Sequence, residues 1–177
     1  MTAFTHALVA SEAIPKYAEK LKLYGQFVGS WEAEAQAFLP DGATRRHYWQ
    51  ISFDWVLEGR AIQDVWITPP RHGAHADQSE RWGPFDNQYG TSLRVYDPKD
   101  DIWRVTWIDP CSDFRADLIG RAQGGDGIFQ EGTGSNGMLL RWIFSDITRD
   151  SFRWRAEIST DTGAGWNKAI DLLAKRT

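Results

Sequence analysis

Cysteine is almost absent from this 177-residue chain: Cys111 stands alone, which excludes an intramolecular disulfide framework. Long apolar runs are missing too, and nothing approaches the roughly 18 residues that a membrane span requires. The opening MTAFTHALVASEAIPKYAEK has neither the basic start nor the apolar core of a secretory leader. Charge is not segregated: 20 Lys and Arg and 24 Asp and Glu are intermixed to a net −4, which leaves no basic footprint for nucleic acid. Histidine is scarce, and none of the four follows His75. Together these absences predict a cytoplasmic protein with neither nucleic-acid nor membrane partners. The length suits one domain able to bury a sizeable core.

What is abundant is tryptophan. Ten of them run from Trp31 to Trp166, too evenly for a short motif, so they furnish either a core or the wall of a cavity. After a helical candidate at 11–24, with Ser11 as its cap and Pro15 in its first turn, almost every segment reads as strand. The predicted strands cover 31–38, 45–56, 61–68, 89–96, 102–109, 114–122, 128–132, 138–147, 152–160 and 166–175. The last also admits a helix, but the hairpin signal DTGAG before it favours a strand. Short turn signals, EGR, DPKDD, QGGDG and TRD, separate alternate strands and suit antiparallel neighbours. About ten strands in one up-and-down series favour an all-β closed antiparallel barrel, because closure removes exposed edges. Residues 1–26 would then form a helical segment closing the barrel, and 27–177 the barrel itself.

Chain direction sorts the connections into two ends. The turns at 58–60, 97–101, 123–127 and 148–150 are tight and share one end; those at 40–44, 69–88, 110–113, 133–137 and 161–165 share the other. The connection at 69–88 is too long for a plain link, and with Trp82 and Phe85 it reads as a lid. Strand parity names the interior. Trp31 plugs the closed end, and Ala33, Ala35 and Ala37 on its face leave volume free for a ligand, unless they merely face large side chains across a packed core. His47, Trp49, Ile51, Phe53 and Trp55 share the inward face of the second strand. Trp107 brings Asp109 to the mouth, and Trp142 and Trp154 look inward from later strands. On the third strand the parity is ambiguous; Asp64 is placed inside because that brings Trp66 into the aromatic wall, with His47 as its expected partner. Arg94, Arg104, Arg141, Arg153 and Arg155, with Asp117, Glu131 and Glu157, read as charge pairs on the solvated outside.

The segment Gly29–Ser30–Trp31 after a short helix resembles the Gly-x-Trp signature of lipocalin-like, or calycin, barrels. More specifically, WVLEGRAIQDVW, LRVYDPKDDIWRVTWIDP and RWIFSDITRDSFRWRAEIS are similar to a bacterial family of uncharacterised lipocalin-like proteins, over residues 23–176. The resemblance implies an antiparallel barrel around a small-molecule cavity. It implies no reaction and no catalytic residues.

Two functions remain open. One is binding of a small, largely apolar aromatic molecule by Trp49, Phe53, Trp66, Trp82, Phe85, Trp107, Trp142 and Trp154. The other is a cofactor-independent lyase, isomerase or cyclase for an aromatic or polyketide-like substrate, with catalytic His47 and a carboxylate, Asp64 or Asp109, as acid–base pair. A barrel filled by its own tryptophans is a third possibility. No cofactor is expected: His72 and His75 have no third metal ligand at diagnostic spacing, and a later histidine for heme is missing. Cys111 has no evident base to make it a nucleophile. The expected partner is a small-molecule ligand or substrate, and the sequence leaves the oligomeric state open, a homodimer included.

Overall fold

A computed structural model describes residues 2–76, 87–125 and 127–177. Ten antiparallel strands close on themselves: β2 (Gly29–Phe38), β3 (Thr44–Val56), β4 (Ala61–Thr68), β5 (Gln88–Asp97), β6 (Ile102–Asp109), β7 (Phe114–Gln123), β8 (Gly127–Gly134), β9 (Leu139–Ser145), β10 (Ser151–Ser159) and β11 (Asn167–Arg176). Each pairs with its sequence neighbours, and β11 returns to β2 through a ladder running from Ile170 opposite Ala37 to Arg176 opposite Trp31. This is the closed up-and-down barrel that the turn spacing predicts, and the final segment is a strand. Alternation is clearest in β2, where Trp31, Ala33, Ala35 and Ala37 are buried between exposed Glu32, Glu34 and Gln36.

Two features at the N-terminus depart from the expectation. A short helix, α1 (Ala3–Leu8), leads into a two-residue strand, β1 (Val9–Ala10), which pairs with Val56 and Trp55 of β3. The expected helix at 11–24 begins only with a 3-10 turn at Pro15–Tyr17, followed by α2 (Ala18–Gly25). Ser11 therefore caps nothing. Residues 11–14 stay non-helical and lie over the turn between β3 and β4, where the Ile14 N–H donates to the Gly59 carbonyl at 2.9 Å.

Leu21 and Tyr24 of α2, with Phe27 just after it, are buried against the end of the barrel that carries the tight turns. There they join Trp31, Phe53, Phe144 and Phe152 in an aromatic plug, with ring centres 4.8 Å apart for Trp31–Phe152, 4.9 Å for Phe27–Phe144 and 5.0 Å for Phe27–Phe152. The Trp31 indole donates to the Phe27 carbonyl at 2.7 Å, tying the strand to the segment that precedes it.

The Gly-x-Trp motif now has a physical reason. The Arg176 guanidinium lies 4.0 Å from the centre of the Trp31 ring and donates to the carbonyls of Val28, Gln26 and Arg149 at 2.7, 2.9 and 2.8 Å. Gly29 has φ +127°, and a Cβ there would stand 2.5 Å from Arg176 Nη1. Glycine is required on both counts. The first and last strands of the barrel are thus fastened beside the plug by one side chain.

The outer charges behave as expected for Arg141, which meets Glu131 across β8 and β9 at 2.7 Å, and for Arg104, which reaches Asp97 at 2.8 Å. Arg94 is the exception: it points inward and is 1% exposed. Strand β5 has inverted polarity, with Gly90, Ser92 and Arg94 inside while Tyr89 and Val95 are among the exposed large side chains. Apolar residues on the outer parity make the inner parity look like surface.

Replacing Arg176 with methionine removes the ring contact and three charge-assisted hydrogen bonds. It is expected to lower unfolding free energy by about 2–3 kcal/mol in urea titration. A loss under about 0.5 kcal/mol would show that the fastening adds nothing to stability.

Candidate functional site

Above the plug the barrel is not filled. A cavity of about 490 Å³ opens toward the end that carries the longer loops. Its wall is an arc of indoles set by alternation on five strands: Trp49 on β3, Trp66 on β4, Trp154 on β10, Trp142 on β9 and Trp107 on β6. Neighbouring rings stand 6.1 Å (Trp49–Trp66), 5.1 Å (Trp66–Trp154), 5.8 Å (Trp154–Trp142) and 6.0 Å (Trp142–Trp107) apart, mostly edge to face or tilted. Trp107 reaches its place by lying directly over Gly90, where a Cβ would collide with the ring. Any larger residue at 90 would push the indole out of the wall. Leu140, Ala156, Ile158 and Ala169 supply the aliphatic lining, and Ser112, Asp113, Ser135 and Asn136 from two loops give a polar mouth.

Polar groups also reach the depth of the cavity. Ser92 and Arg94 line it, and Arg94 makes a buried ion pair through Nη1 with Oδ2 of Asp64, which is 0% exposed. The other carboxylate oxygen accepts from the Ser92 backbone N–H at 2.7 Å. The guanidinium is ringed by plug aromatics, with Tyr24, Phe53 and Phe144 at 5.1, 5.5 and 6.0 Å from its central carbon. Burial pushes the Tyr24 phenol well above its usual range, with the charge of Arg94 opposing, so Tyr24 stays neutral. Its oxygen accepts from Gln130 Nε2 at 2.9 Å. The ion pair therefore separates plug from cavity.

Of the aromatic residues expected to hold a ligand, Trp49, Trp66, Trp107, Trp142 and Trp154 line the cavity. Phe53 faces inward but belongs to the plug, against Phe27 and Phe152. Trp82 and Phe85, with most of the expected lid, lie outside the described residues. The alanine stripe of β2 is buried, yet none of its members lines the cavity: Ala33 sits opposite Trp49 and Ala35 opposite His47, within the packed core. Free volume lies instead beside Ala156 and Ala169.

Of the expected acid–base group, His47 and Asp64 are not brought together. Asp64 pairs in register with Phe53, six positions from His47 along β3 and so roughly 20 Å away at about 3.4 Å per residue. Its partner is Arg94. His47 is buried opposite Ala35 and does not line the cavity. Asp109 is buried, but its carboxylate accepts from the N–H groups of Tyr89 and Cys111 at 3.3 and 3.0 Å and from Ser112 Oγ at 2.7 Å, which braces the loop at the mouth. His75 stacks on the outer face of the barrel against Tyr48 at 3.4 Å, on the parity opposite to His47. No cluster of three metal-ligating side chains occurs among the described residues, and no described helix is long and apolar enough to cross a membrane.

The inward placing of Arg94 follows from register, where parity alone misleads. The DPKDD turn pairs Asp97 with Ile102, and counting back along that hairpin sets Arg94 opposite inward Val105 and Ser92 opposite Trp107.

The chain matches no protein-family model and, by sequence, no curated protein. It does share its fold with solved structures. Rv2717c from M. tuberculosis superposes with a TM-score of 0.64 at 15% identity, over 94% of this chain and 99% of that one. The S-type phycobiliprotein lyase CPES from Guillardia theta superposes with a TM-score of 0.62 at 11% identity, over 88% of this chain and 91% of that one. At such identities the likeness carries the architecture alone, and the architecture is a lipocalin-like β-barrel.

Proposed function

We propose that the protein binds a small, largely apolar aromatic molecule in the tryptophan-walled cavity. The observation that carries this reading is the cavity itself: about 490 Å³, within the roughly 300–1,000 Å³ common for small-molecule sites, with five indoles in its wall and few polar groups at depth. Indole faces favour flat, polarisable partners in stacked or edge contact. A barrel filled by its own tryptophans would leave no such volume.

Acid–base catalysis has less support. Its carboxylates are already engaged, Asp64 by Arg94 and the Ser92 amide, Asp109 by the loop that it braces. Each carboxylate is oriented toward the protein groups that it holds, and neither lines the cavity. The reaction named for the phycobiliprotein lyase is a property of that protein, and the likeness to it is one of fold.

Two outcomes test the reading. Ala156 lines the cavity between Trp142 and Ile170 in the sheet, so Ala156→Phe places a ring in the free volume. Binding of planar aromatic probes, followed by calorimetry, should weaken at least about tenfold, while unfolding free energy changes by no more than about 1 kcal/mol because the ring fills space that already exists. Undiminished binding would put the ligand elsewhere. Second, a molecule that co-purifies with the protein and is released by denaturation should return with its mass unchanged after prolonged incubation; a product of altered mass would replace the binding role with an enzymatic one.

A further inference from the structure

Resting on the binding role proposed above, a second question concerns the charge that the ligand carries. At depth the ionic groups cancel: Arg94 is the one basic side chain lining the cavity among the described residues, and Asp64 matches it. At the mouth they do not cancel. The loop between β6 and β7 brings two carboxylates there. Asp113 lines the cavity, is exposed, and its side chain has no hydrogen bond or ion pair among the described residues. Asp109, 1% exposed, is held by the Tyr89 and Cys111 N–H groups and by Ser112 Oγ, all of them neutral donors. Its charge is hydrogen-bonded but not offset by a cation. Arg45, Arg71 and Arg115 belong to the same end of the barrel, yet none is part of the lining; Arg71 lies 4.2 Å from the outward ring of Tyr89, and Arg115 alternates outward on β7.

A recess with walls of low dielectric and charge of one sign at its mouth favours the opposite sign in what it admits. An aromatic carboxylate would add a third negative charge beside Asp109 and Asp113. An ammonium is attracted by both, and it supplies the donors that the Asp113 carboxylate accepts. At the mouth it keeps part of its water, so little desolvation opposes the contact. The ring faces of the wall carry partial negative charge as well and do not resist a cation. We propose that the cavity takes an aromatic amine, with its ring among the indoles and its ammonium at the mouth beside Asp113, and that it disfavours aromatic carboxylates.

Three probes with one ring system test this: 2-naphthylmethylamine, 2-naphthylacetate and the uncharged 2-ethylnaphthalene. Calorimetric titration of the intact chain at low salt should give the amine an affinity at least about fivefold above that of the carboxylate, since the two charges respond to the mouth in opposite directions. The same ratio is then measured in Asp113→Asn, which removes the charge and suits the left-handed backbone at this position, φ +51°. It should fall at least about threefold, with the affinity for 2-ethylnaphthalene within about twofold of the parent, which shows that the cavity is intact. A smaller ratio in the parent protein overturns the proposal, as does a ratio that Asp113→Asn leaves unchanged. In both cases the probes still bind, and the binding role stands. Failure of all three probes to bind overturns the binding role and this proposal with it.

Discussion

Closure of ten antiparallel strands is the constraint from which the rest follows. Once β11 pairs with β2, every strand has one face inside and one outside, and the interior becomes a column of fixed width whose contents are decided by alternate residues. At the end beneath α2 that column is full: Tyr24, Phe27, Trp31, Phe144 and Phe152 interlock, and Arg176 fastens the seam where the first and last strands meet. At the other end the same alternation supplies five indoles, Ala156 and Ala169, and they enclose space. One architecture thus yields a plug and a pocket stacked along one axis.

The ion pair of Arg94 and Asp64 marks the boundary between them. Burying two charges is rarely a gain in stability compared with apolar residues of the same size. Here the pair spans neighbouring strands, β4 and β5, engages the Ser92 amide, and sits where the aromatic plug ends and the cavity begins. The cost is borne at the boundary between the packed core and the open cavity. Inverted polarity along β5, with Tyr89 and Val95 outward and Ser92 and Arg94 inward, is the sequence trace of that arrangement.

Much of the fold is legible in the order of residues alone. Alternation gives away the strands because an antiparallel barrel with one solvated face repeats every two residues, and the tight EGR, DPKDD and TRD turns identify the closed end. The tryptophans of the wall are legible for the same reason. The pairing of side chains across strands is not. His47 and Asp64 share an interior but lie at different heights, because the hairpin between β3 and β4 sets Asp64 opposite Phe53. Parity tells which side of a strand a residue occupies, and only register tells which neighbour it meets. The N-terminal segment misleads differently: residues 11–14 have helical flanks, but they lie over a turn distant in sequence, where Ile14 donates to Gly59, and stay non-helical.

The arc from Trp49 through Trp66, Trp154 and Trp142 to Trp107 has a consequence beyond shape. Indole centres between 5.1 and 6.1 Å apart are close enough for their electronic transitions to couple. At such distances excitation absorbed by one ring can pass to its neighbours, so a molecule that quenches one of them can also draw emission from the next, and tryptophan fluorescence becomes a readout of whether the cavity is occupied.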